Sequence, residues 1–381
     1  MFDTAGLKHA AVLLGLPILG LLSSPALGAI FCVGTASEFR SALLDSRDNG
    51  EDDQIRLRSG NYLSTEGFGF ITDLELDRAL SITGGWFDFN AINCFSQQGS
   101  DPTDTVIDGQ DQRSGIVINA LDVGSTSSLL IGNLSIVQGA TTSTDAGLRI
   151  SGVAGFDGEI LIERVRFAGN DGGDGAALRA IGGNKLTVRN SVFQFNHTAG
   201  SGGTILFSMP AEDQGVYFIN NTVINNSSDF EGISTSATSG LSINLNQSGD
   251  NIPQALVANN LFWFNELADL FFSASGGIKH VYNNNYEQRL GIVQHSGNNL
   301  SLPPQLAPPI LDFTPGEDSP LIDQGLAAPA LRGIPFLLDW SYGSIDFDGG
   351  IIPRVHGDRV DIGAVESPYR DGFFRDRFQT P

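Results

Sequence analysis

The sequence predicts an all-β chain wound as a single-stranded parallel β-helix, a solenoid of short strands, and three observations carry that expectation. The phrase LTVRNSVFQFN at 186–196 returns in altered form at 129–139, 160–170, 216–226, 255–265 and 279–286. Aligned on Asn190, the copies place Asn133, Arg164, Asn220, Asn259 and Asn283 at one position, at irregular intervals. Coils whose loops lengthen at a corner while the strands stay stacked tolerate such irregularity; propellers and leucine-rich repeats do not. Finally, 47 Gly, many Asn, Ser and Thr, and no long helical period point to short strands joined by tight turns.

The first 28 residues carry Lys8 and His9, an apolar run from Ala10 to Leu22, and then Ala26-Leu27-Gly28, the layout of a secretory signal peptide. The run is too short for a comfortable membrane span, and no later stretch is apolar enough for one. The mature chain is therefore expected to be secreted or held at the cell surface, and not transmembrane. An exported chain with only Cys32 and Cys94 is expected to pair them, which the chain-entropy model values at about 4 kcal/mol.

Thr35 and Glu38 have capping-box spacing, and Phe39, Ala42 and Leu43 form an apolar stripe, so a helix is expected over 36–46. A strand follows at 54–63, turned by Gly60-Asn61. Others are expected at 80–83, 105–108 and 115–119, with a loop at 86–102 large enough to hold Cys94 near the helix.

Within the repeat, Leu186, Val188, Phe193 and Phe195 are expected to face the core, with Arg189 and Gln194 outward. Val188 and Phe193 are five apart, so an unbroken strand would set them on opposite faces. A bend at Asn190 restores the phase, because Asn tolerates left-handed backbone. Stacked coils would align Asn133, Asn190, Asn220, Asn259 and Asn283 as a polar ladder. Gly-rich strands near 146, 175, 202 and 241 supply a third sheet. The β-helix with its helical cap is expected over 29–300, a Pro-rich strap and non-repetitive cap over 301–366, and a tail over 367–381.

The opening helix followed by a strand ending in Gly-Asn-Tyr resembles the start of pectate-lyase-like parallel β-helix proteins. ITGGW and TVIDGQ resemble the early rungs of bacterial β-helix repeat proteins. The closing phrases, SPLIDQG ending at Gly325 and DIGAVE at 361–366, resemble the C-terminal end of bacterial exported choice-of-anchor Q proteins. The resemblance spans roughly residues 30–366 in layout. It implies a right-handed coil, agreeing with the preference of parallel crossovers. It also implies a helix over the open N-terminal end and surface association, without a single assigned reaction.

A formal charge of -22 with only three Lys excludes a nucleic-acid partner, which needs a basic stripe. The acidic surplus favours divalent cations, and calcium is a possible cofactor at Asp171 and Asp174, or at Asp346 and Asp348, where Gly-bent turns bring carboxylates together. A lyase needs a base and a charge-neutralising cation, and a hydrolase needs paired carboxylates. The candidates for catalysis are Lys279, His280, Arg164 and Arg166. Glu163 over Arg189 is expected to be a stacked ion pair. Trp263, outward between Phe262 and Phe264, is the candidate glycan contact. Arg354 or Arg359 is expected to pair with Asp361 and Glu366. The leading expectation is a non-catalytic module binding glycan or other surface material, since Lys and His are scarce. A polysaccharide lyase or glycoside hydrolase on the same scaffold is the alternative.

Overall fold

The computed structural model describes residues 28–369 apart from 67, 73–78, 88–93, 98–100, 121–127, 142–144, 153–157, 210–214, 231–236, 247–251, 274–275, 309–311, 329–335, 337–338 and 350–351. All but Gly28 of the expected leader, and the tail from residue 370, lie outside the described residues.

The chain is a parallel β-helix. One face, face 1, stacks ten strands in chain order: 30–33, 53–58, 79–87, 128–137, 159–168, 185–189, 215–219, 254–258, 278–282 and 295–297. Adjacent members pair in parallel, so each coil adds one strand to the stack. Face 2 continues each coil past a bend, as in 192–194, 222–224 and 261–263. Face 3 is a separate eight-stranded sheet running from 68–72 to 289–291. A three-stranded ribbon of 171–172, 197–198 and 227–228 lines the corner between faces 2 and 3.

In-register columns fill the interior. Ile131, Ile162, Val188, Phe218, Val257 and Val281 follow one another up face 1 and are buried. From face 2, the rings of Phe167 and Phe193 stack with centroids 4.7 Å apart and 5° between planes, about the rise of one parallel strand.

The expected bend is present in every copy. Asn133, Arg164, Asn190, Asn220, Asn259 and Asn283 all have φ between 50° and 61°. Of the expected ladder, Asn259 Nδ2 donates to Asn220 Oδ1 at 3.3 Å, but the continuous ladder runs one residue later. In the left-handed residue the side chain leaves the coil, and the next residue turns inward at the corner, where successive amides meet at the strand spacing. Asn221, Asn260, Asn284 and Asn299 bond amide to amide. Asn170, Asn196, Asn226 and Asn265 form a second ladder, which ends on Asp269.

A second bend, at Phe195 and Phe264, corrects their expected inward direction. Their φ is 54° in both cases, and they are 52% and 63% exposed. Only Phe193 and Phe262 of each pair enter the core.

The cap helix spans Ala36–Asn49, three residues beyond its expected end, because Gly50 supplies the left-handed stop at φ 78°. Thr35 Oγ1 accepts from Glu38 N at 3.2 Å, while Glu38 Oε2 reaches back to Gly34 N at 2.7 Å. Phe39 packs on Phe68 and Tyr62 at the first coil. Cys32 and Cys94 form the expected disulfide across 62 residues.

The described part of 301–366 has no repeat, as expected, and runs along the flank of faces 1 and 2. Phe313, Phe347, Ala364 and Val365 cover Val192 and Ile224, while Trp340 with Phe336 covers Tyr217, Ile219, Leu256 and Ala258. The outward Asn190, Asn220, Asn259 and Asn283 bond to this strap at the carbonyls of Tyr342, Asp361, Leu326 and Gln324. The sequence thus repeats Asn at the bend for two physical reasons, its tolerance of left-handed backbone and an amide that docks the strap.

Candidate functional site

The residues proposed for catalysis do not converge. Lys279 points into the core, in the column of Leu186, Val216 and Ala255, and its Nζ donates to Gly276 O. Burial holds its pKa below the usual lysine range. His280, next along the strand, faces outward as alternation requires. It is covered there, stacked on His295 at 4.8 Å with Phe336 beyond. Burial first, and then His295, push its pKa down to about 4. Its Nε2 sits 3.3 Å from Gln254 Oε1.

Arg164 is buried under the 345–349 loop, its Nη2 donating to Phe347 O at 3.4 Å. Burial lowers its pKa, opposed by Asp346 and Glu163. Arg166 is met by Gln194, whose amide oxygen, turned toward it, accepts from Nη2 and Nε at 2.7 Å. Neither guanidinium lines an open groove with Lys279 or His280. The expected Glu163–Arg189 pair is present at 2.6 Å.

The carboxylates proposed for calcium also have other work. Asp174 Oδ1 accepts from Gly202 N at 2.6 Å, whereas Asp171 bonds to His197 Nδ1 at 2.9 Å in the next coil. Asp346 Oδ2 accepts from Glu366 N at 2.9 Å. Asp348 is exposed, and partial desolvation of its carboxyl, followed by the nearby Asp346, Asp312 and Asp101 carboxylates, pushes it up to about 7. Among the described residues, no group of three His, Cys, Asp or Glu side chains is placed to hold a metal ion.

The closing phrases form one buried knot. Arg354 lies at its centre, donating to Ala364 O at 3.1 Å, Asp361 O at 3.3 Å and Gly363 O at 2.7 Å, with Glu366 Oε2 at 3.6 Å. Asp361 accepts from Asp323 N at 2.7 Å and Ser367 N at 2.8 Å, and Asp323 accepts from Arg359 N. Arg354, rather than Arg359, is thus the cation beside Glu366. These motif residues are explained by closure of the strap.

Trp263 faces outward as expected, but its inner edge packs against Leu306 and the strap clusters. The column below it is covered as well, with Ile224, Gln194 and Ala168 buried. An open Trp platform on face 2 is therefore corrected to a Trp wedged at the strap's margin. The open aromatic surface lies one residue on, at the corner. Main-chain hydrogen bonds stack Gln138, Gly169, Phe195, Asn225 and Phe264 there in successive coils. Phe195 and Phe264 stand two coils apart, about 10 Å at the strand spacing, with half-exposed Asn225 between. The Phe264 ring contacts that of Trp263 at 5.2 Å.

The ribbon beside this ridge is polar. His197 bridges Asp171 through Nδ1 and Asp229 through Nε2, at 2.9 and 3.1 Å. Burial acts to lower its pKa, but the two carboxylates outweigh it and hold the imidazole above its ordinary value. Sequence reasoning missed the ridge because Phe195 and Phe264 alternate correctly with Phe193 and Phe262. The available signal was that other copies carry Gln138, Gly169 and Asn225 there, which no core position would share. Comparisons with protein-family models, curated proteins and solved structures find no match for this chain.

Proposed function

We propose that this chain is a non-catalytic module, exported and surface-associated, that binds glycan through the Phe195–Asn225–Phe264 ridge. The observation that carries this reading is the pair of exposed phenylalanines held in left-handed backbone. That conformation costs a bulky L-residue roughly 1–2 kcal/mol, and exposure forgoes the roughly 1.5–3 kcal/mol available from burying the ring. Asn225 and Gly169 make the same bend with less strain. Nothing in the coil requires phenylalanine, so an external partner accounts for it.

Two flat rings about 10 Å apart, with an amide between and the charged ribbon alongside, suit the apolar faces and hydroxyls of consecutive sugar units. A disulfide, and the lack of a helix long and apolar enough to cross a membrane among the described residues, accord with export.

The test separates function from folding. Phe195→Asn and Phe264→Asn should each raise the melting temperature by a few degrees, by relieving about 1 kcal/mol of strain. Together they should weaken retention on the polysaccharides bound by the parent at least tenfold. Unchanged retention, or loss of stability, would overturn the assignment. Product release from any polysaccharide would favour the enzyme reading instead.

A further inference from the structure

A second concave site lies between face 1 and the strap. Lys185, Thr187 and Arg189 share one strand and point outward, while Glu159 and Leu161 line the floor from the coil below. Asp339, Trp340 and Ser341 of the strap form the opposite wall, enclosing a cleft of about 240 Å³. Pockets for drug-sized ligands run to roughly 300–1,000 Å³, so this volume suits a single ring rather than a chain.

The two cations of the cleft are held differently. Arg189 is committed, with Nε and Nη2 on Glu163 Oε2 at 2.9 and 2.6 Å and Nη1 on Ser341 O at 3.2 Å. Lys185 meets Asp339 Oδ2 at 2.8 Å and lies 5.6 Å from the centre of the Tyr217 ring. Its carboxylate partner is 73% exposed, and such exposed pairs contribute little to stability. Asp339 is thus an exchangeable partner for an ammonium at the mouth of a polar cleft walled by the strap.

We propose that this cleft takes the carboxylate-bearing ring of an acidic glycan, the sugar carboxylate replacing Asp339 on Lys185. The ring would lie over Leu161 on the floor, with the Thr187 hydroxyl in reach of its own hydroxyls. Glu159, in register with Lys185, disfavours a second negative group on the same ring. The site is separate from the phenylalanine ridge and stands without it.

The experiment is titration calorimetry of the full chain with the methyl glycoside of glucuronic acid, that of glucose, and acetate. The glucuronide should bind, with glucoside and acetate at least tenfold weaker. Lys185→Met should abolish the glucuronide signal. Asp339→Asn should strengthen it about threefold or more, because it removes the resident competitor. Phe195→Asn with Phe264→Asn should leave it unchanged, so failure of the ridge and failure of the cleft are distinguishable. Equal binding of glucoside would overturn the charge assignment, and equal binding of acetate would overturn the sugar. An Asp339→Asn variant that binds no better, with an unchanged melting temperature, would overturn the exchange itself.

Discussion

Asn260→Ala is expected to lower the coil's unfolding free energy by about 4–5 kcal/mol, because it strands two buried donors, each worth roughly 1–3 kcal/mol, and opens a cavity. Asn260 Oδ1 accepts from Asn221 N at 2.8 Å and Asn221 Nδ2 at 3.1 Å, and its own Nδ2 donates to Phe218 O and to Asn284 Oδ1, both at 2.8 Å. No water can replace these bonds, since Asn221, Asn260 and Asn284 are fully buried. The neighbouring Asn259→Ala should cost about 2–3 kcal/mol, from left-handed strain and the loss of its two hydrogen bonds with Leu326 and one to Asn220. Urea midpoints of the two variants measure the difference. Equal losses would mean that the inner amides are no more important than the outer ones.

Arg354→Met is expected to release the strap at a cost of about 3–5 kcal/mol, because buried carbonyls lose their donor. Three carbonyls and the Glu366 carboxylate would be left in the interior. The expected readout is new proteolytic cleavage within 301–366, with loss of Trp340 fluorescence shielding, while the coil's circular dichroism persists. Cleavage as slow as in the parent would show that the aromatic contacts on face 1 suffice.

The knot also sets a pH dependence. Burial raises Asp361 and Glu366 above the usual carboxylate range, outweighing Arg354. Groups raised in the folded state bind protons there that they release on unfolding, so the knot's contribution to stability is greatest in acid and falls as pH climbs from about 4 to about 8. The strap should resist protease and urea better at pH 5 than at pH 8. The opposite order would mean that the carboxylates are held ionised by Arg354.

The sequence by itself determined the winding. Leu186, Val188 and Phe193 must share an interior, and only a bend at Asn190 puts them there. The helix before the strand at 53–58 followed from an equally local pattern, and the Cys32–Cys94 pair from the count of cysteines. Tertiary structure decided what the periodicity leaves degenerate. Phe193 and Phe195 have the same spacing rule and composition, yet a second bend sends one inward and the other to solvent. Lys279 sits among core positions, where no pattern of charge would put it, because the strand register overrides residue polarity. The strap's partners lie more than a hundred residues from Asn190 and Asn220 in sequence, so docking of SPLIDQG and DIGAVE onto the coil could not be read locally. Stacking is a short-range, repeated interaction that sequence records copy by copy. The surface left open by the strap is a single long-range event, and that event settles which aromatic and charged side chains remain exposed.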